Sequence, residues 1–184
     1  LIDRIIMTHI KRVVYDFNNK KIDQITSFDI VASLLSFFIL KKMNTKIINF
    51  LEIIFFNQID SLGVHKSYNI LEHSKFINNL YELKNIFLYF NHSVPQYIET
   101  TIIKMSSILN EYFHLDGSIP LFNGTNNNYT DVIHKMISKD EYFKSRKFIN
   151  SKNGIAFYSD KQKKIFFDVV QPNKDSVSKN LSAG

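Results

Sequence analysis

The densest set of side chains that could do chemistry lies in Gly63-Val-His65-Lys-Ser-Tyr68-Asn69-Ile-Leu-Glu72-His73. On a helix of 3.6 residues per turn, His65, Tyr68, Asn69, Glu72, Phe76 and Asn79 fall within an arc of roughly 90°. One strip then carries an imidazole, a phenol, a carboxylate and two amides. Tyr and His are the pair a β-elimination needs. One group removes the proton beside a carboxylate, the other protonates the leaving oxygen, and an amide or cation stabilises the enolate-like intermediate. A helix whose polar strip faces solvent or lines a groove accounts for the same pattern, because Tyr and His commonly sit at such boundaries.

Other chemistries lack their residues. His65 and His73 stand eight apart, there is no His-Glu-x-x-His pair, and no metal site is expected here. No Gly-rich phosphate loop and no Gly-x-Ser-x-Gly elbow is present. Cysteine is absent, which removes disulfides and Cys-based metal sites and leaves the compartment open.

A second stretch, Asp116-Gly-Ser-Ile-Pro-Leu-Phe-Asn123-Gly124, divides the chain. Its two glycines and its proline make it irregular backbone. Ile119, Leu121 and Phe122 are apolar, so the expectation is an ordered loop folded onto the body, with Asp116 and Asn123 free to point outward. A plain helix-to-strand connector fits as well.

The elements that must position these residues are mostly helical. Ile2 to Asn18 has apolar residues at helical spacing. Ser27 or Asp29 could cap a helix from about Ile30 to Met43, and Asn44 or Thr45 opens another through Ile59. Asp60-Ser-Leu-Gly63 breaks the pattern. A long helix is predicted from about Lys66 to Phe90, then one from Pro95 to about His114. Asn126 to Asn128 is a polar turn, Tyr129 to Ile137 a short helix, and Lys139 to Asn150 loop or weak helix. Gly154 to Tyr158 and Ile165 to Val170 then read as a β-hairpin. A lone hairpin is barely stable in water, so it packs on the helices or begins a larger sheet. Gln171 to Gly184 reads as a polar tail.

Bulk composition agrees with a globular, mainly α chain. Hydrophobic residues make up 45% and charged residues 22%, with only 5 Gly and 3 Pro. The net charge of +6 permits an anionic partner. Its basic residues are dispersed, so nucleic acid is not expected. The run Ile30 to Leu40 is too short to span a bilayer, and no signal peptide is visible.

Gly63-Val-His65-Lys-Ser67-Tyr68, the long helix after it, His114-x-Asp116-Gly117-Ser-Ile-Pro120-Leu121-Phe122-Asn123 and a hairpin ending in Phe167-Asp168 resemble the heparinase II/III-like proteins. The resemblance covers most of the chain, and Asp-Gly-x-x-Pro-Leu-Phe-Asn is its most specific part. It implies antiparallel helical hairpins of an incomplete α/α toroid, followed by the first β-hairpin of an antiparallel β-sandwich. The helical part would be 1–150, including a linking loop at 115–128, and the sandwich would start in 151–184. It implies a polysaccharide lyase acting by β-elimination on a uronate-containing, anionic polysaccharide of a bacterial surface, in the periplasm or the cytoplasm. Tyr68 or His65 would be the acid/base, Glu72 and His73 would tune it, and Asn69, Asn79, Asp116 and Asn123 would bind substrate. No cofactor is implied within this chain, although the family's sandwich domain can hold a divalent metal.

The sequence also departs from the family. No catalytic Asn-His pair is present, and the resemblance would put it before Leu1. Glu72 stands where an ungapped alignment expects the catalytic Tyr, and His73 takes the following His. Asn180 to Gly184 replaces the His-x-His-x-Asp segment. A catalytically degenerate protein that binds or processes carbohydrate therefore stays open beside the lyase. So does a helical module that binds nucleic acid or protein.

Overall fold

Six α-helices and one pair of short strands make up the described part of the chain, residues 2–125, 129–138, 155–159 and 163–168 of a computed structural model. The helices are α1 (Ile2–Asn19), α2 (Ser27–Ile39), α3 (Thr45–Gln58), α4 (Ile70–Tyr89), α5 (Gln96–Glu111) and α6 (Thr130–Ile137). A 3₁₀ turn, Ile22–Gln24, joins α1 to α2. β1 (Ile155–Ser159) pairs antiparallel with β2 (Lys164–Asp168), Ile155 opposite Asp168 and Ser159 opposite Lys164. The fold is mainly helical. The stretches expected at 126–128, 139–154 and 169–184 lie outside the described residues. Among the described residues, no helix is long and apolar enough to cross a membrane.

Local bonds fix the helix starts. Thr26 caps α2, not Ser27 or Asp29. Its hydroxyl accepts from the Asp29 N–H, while the Asp29 carboxylate accepts from the Thr26 N–H at 2.9 Å. That is a reciprocal capping box. Asn44 caps α3, its Oδ1 accepting from the Ile47 N–H at 3.1 Å. α2 ends at Ile39, short of Met43, because Lys41 turns into the left-handed region at φ 55°.

The chain forms two compact units. One holds the described residues up to Gln58 together with Asn79–Thr100. Its core includes Ile30, Leu34, Ile54, Phe55, Leu80 and Phe87. Phe38 stacks on Phe90 at 4.8 Å and meets Phe87 edge-on at 5.4 Å. The Gln58 amide donates to the Ile25 carbonyl at 2.6 Å. Asn79 belongs to this unit, where its amide donates to the Ser27 hydroxyl at 2.7 Å. α1 buries only Val14 and Phe17, and leaves Ile2, Ile5 and Ile6 exposed.

The other unit is Ile59–Asn78 with the described residues from Thr101 onward. Val64, Ile70, Phe76, Ile102, Leu109 and Ile133 are buried in it. His114 holds the strand pair: its Nδ1 donates to the Lys164 carbonyl at 3.2 Å, and its ring meets Phe166 edge-on at 4.7 Å. α4 and α5 each contribute residues to both units.

The capping box gives a direct stability test. Thr26→Ala should lower unfolding free energy by about 1 kcal/mol in urea denaturation, and Thr26→Ser should keep most of it.

Candidate functional site

Residues 59–69 form a loop that satisfies its own backbone. Ile59 and His65 make an isolated antiparallel bridge. The Asp60 Oδ1 accepts from the Leu62 and Val64 N–H groups, both at 2.9 Å. Gly63 sits at φ +89°, where a Cβ would meet the Lys104 Cγ at 2.8 Å. Only glycine fits there without displacing that side chain. The Lys104 Nζ lies over the loop and donates to the Ser61 carbonyl.

His65 is half-buried against Phe76, ring centroids 5.5 Å apart. The Ser67 N–H points at its Nδ1 at 3.3 Å, and the Ser67 hydroxyl lies 2.7 Å from the same atom. The Asn69 N–H in turn donates to that hydroxyl oxygen. This network assigns Nδ1 as the acceptor and puts the ring proton on Nε2. Burial pushes the His65 pKa down against the opposing pull of Glu72. The ring is therefore a neutral Nε2–H donor near pH 7, and that donor has no hydrogen-bond partner among the described residues.

The predicted strip on one helix face does not form. α4 begins at Ile70, not at Lys66. Tyr68 stands in the left-handed region at φ 52°, which no helix continues through. Asn69 caps α4 instead, its Oδ1 accepting from the Leu71 and Glu72 N–H groups at 2.8 and 3.1 Å. His65 and Tyr68 thus share a tight turn ahead of the helix, with the Tyr68 N–H donating to the His65 carbonyl at 2.8 Å.

The residues read as substrate ligands are mostly engaged within the fold. The Asn69 Nδ2 donates to the Asn123 carbonyl at 2.6 Å, and the Asn123 Nδ2 donates to the Tyr68 carbonyl at 3.2 Å. This reciprocal latch joins the 59–69 loop to the central loop. Asn123 is not free to point outward; its φ of 51° and its amide are both committed to the latch. Asp116 is exposed. Hydrogen bonding from Ser118, hydroxyl first and N–H second, holds its carboxyl below the usual range. Ile119 and Pro120 of this loop are buried, whereas Leu121 is exposed. Asn79 is bound to Ser27 in the other unit.

His73 is enclosed, only 1% exposed. Its Nε2 donates to the Met105 carbonyl at 2.9 Å, and its Nδ1 accepts from the His65 N–H at 3.3 Å. Both nitrogens are used. Burial pushes its pKa down to about 4. It is a structural clamp rather than an acid/base. Glu72 is exposed and pairs with Lys75 at 2.7 Å, an ion pair worth little in water.

Comparison with protein-family models, curated proteins and solved structures finds no match to this chain. The groups with unspent capacity are the His65 Nε2–H and the half-buried Tyr68 hydroxyl, which has no partner among the described residues. Three contributors went unread in the sequence. Ser67 sets the His65 tautomer, and its only signal was the His-x-Ser spacing. Asp60 organises the loop. Tyr112 is 4% exposed, its hydroxyl has no partner among the described residues, and its ring meets His73 edge-on at 6.0 Å. Burial, with the charges of Asp60 and Tyr68, pushes the Tyr112 phenol well above its ordinary value. Among the described residues, no three His, Cys, Asp or Glu side chains group to hold a metal.

Two tests follow from the clamp and the latch. The unfolded chain protonates His73 near pH 6.5, the folded chain only near pH 4. Between those values the unfolded state binds the extra proton, so stability falls as pH drops. The loss amounts to about 3 kcal/mol by pH 4 and then levels off. His73→Gln, which can offer one donor and one acceptor, should remove that part of the acid loss in urea denaturation across this range. For the latch, Asn123→Gly should cost about 1 kcal/mol through the lost amide bond. Asn123→Ala should cost about 1 kcal/mol more, because it adds left-handed strain.

Proposed function

We propose that this chain is part of a heparinase II/III-like polysaccharide lyase that acts by β-elimination on an anionic, uronate-containing glycan. On this reading the helices belong to an α/α toroid, and β1–β2 is the first hairpin of a β-sandwich. One observation carries the reading. The two segments that resemble the family, 63–68 and 114–123, are separated in sequence but latched together by Asn69 and Asn123 within one unit. The net charge of +6 suits a polyanion.

In this scheme Tyr68 moves the proton. Acting as the phenolate, its oxygen takes the proton from the carbon beside the uronate carboxylate and becomes the phenol. The electrons form the carbon–carbon double bond as the glycosidic oxygen departs, and that oxygen takes up a proton from Tyr68. The His65 Nε2–H donates to the carboxylate while it carries the developing charge. His73 fixes the His65 backbone, and Asn69 and Asn123 fix Tyr68. Asp116, exposed on the central loop, is left to meet sugar hydroxyls.

A second reading, a catalytically degenerate carbohydrate-binding or processing protein, is favoured by one specific observation. His73 has both nitrogens engaged inside the fold, and Glu72 occupies the position of the family's Tyr, paired with Lys75.

The test is absorbance of the unsaturated product on a panel of uronate polysaccharides, with binding measured in parallel. Under the lyase reading Tyr68→Phe should cut turnover about 100-fold or more, with unfolding and glycan affinity preserved. Binding without any unsaturated product selects the degenerate protein. Neither product nor binding removes both readings.

A further inference from the structure

A cleft of about 220 Å³ opens in the unit that holds α1, α2 and α3. Its wall is Phe17, Phe37, Phe50 and Ile47, and its rim is Asn18, Asn44 and Lys46. The wall is preformed. Phe17 and Phe37 are 3% and 5% exposed, and Phe17 meets Phe37 and Phe50 edge-on at 6.1 and 5.9 Å. Rings held in that way do not close over the opening without losing their mutual contacts.

The rim is one-sided in charge. Lys46 is exposed and has no ion-pair partner among the described residues, and no carboxylate lines the cleft. The Asn44 amide is already spent, its Oδ1 on the Ile47 N–H and its Nδ2 on the Lys42 carbonyl. The groups left to meet a ligand are an apolar wall, the Asn18 amide and one ammonium.

We infer that this cleft binds a small amphiphilic carboxylate, with its ring or short chain against the phenylalanines and its carboxylate at Lys46. Ile47 and Phe50, the partly exposed members of the wall, gain by releasing water to an apolar body. The lone ammonium selects a negative head over a neutral one. The volume lies below the range of drug-sized sites, so the occupant is a single ring or a short chain. An occupant of that size binds with a dissociation constant on the order of 0.1–1 mM. The cleft shares no residue with the His65–Tyr68 turn, so it does not depend on the proposed function.

The probes are phenylacetate and its neutral counterpart 2-phenylethanol. Each is titrated into the full chain while the Ile47 methyl and Phe50 ring resonances are followed. Phenylacetate should shift both saturably, about five-fold tighter than the alcohol. In Lys46→Glu that preference should reverse. The variant is expected to fold, because an exposed acidic residue in the first turn of a helix is favourable. No saturable shift with either probe overturns the inference. So does equal affinity for the two probes, or an unchanged preference in Lys46→Glu.

Discussion

A neutral imidazole with almost no exposure holds the second unit together. His73 sits inside α4 and can stay there only because both ring nitrogens are satisfied. On one side it takes the Met105 carbonyl of α5, on the other the backbone N–H of His65. That second bond sets where the 59–69 loop meets the helix. Asp60 closes the loop, Ser67 turns the His65 ring, and Asn69 starts α4. Remove the clamp, and the segment that carries His65 and Tyr68 loses its anchor to the core.

Periodicity made most helices legible. α1, α3 and α6 lie within a residue or two of where apolar spacing put them, because spacing reports which face a helix turns inward. It does not report what covers that face. Ile2, Ile5 and Ile6 carry a strong helical pattern and are nonetheless exposed. Spacing also overran the start of α4. Polar residues at helical intervals occur in turns too, and the deciding fact was a local bond. Asn69 with Glu72 three residues on is an N-terminal signal that sequence alone offered. It would have removed His65 and Tyr68 from the helix.

The candidate site was legible in its residues and not in their employment. An Asn on a loop binds either a ligand or its own backbone, and the sequence cannot tell which when the partner is 54 residues away, as for Asn69 and Asn123. His73 is different, because a clue was present. It shares a helical stripe with Ile70, Ile77 and Leu80, all buried, so the stripe marks a core histidine rather than a reacting one. Glu72 pairs with Lys75 in solvent, and its charge still pulls the His65 pKa upward against burial.

Unsatisfied groups locate what satisfied ones cannot. The described loops of this unit spend many of their donors and acceptors on caps, turns and the latch. Among the described residues three buried hydroxyls have no partner in the protein: Ser33, Tyr112 and Thr125. Two of these belong to this unit. Tyr112 meets the His73 ring edge-on at 6.0 Å, and Thr125 follows Asn123 by two residues. A buried hydroxyl without a partner costs about 1–3 kcal/mol. Tyr68 itself is held in a left-handed conformation that Asn or Gly would adopt with less strain. That conformation is held by the latch, in which the Asn123 amide donates to the Tyr68 carbonyl.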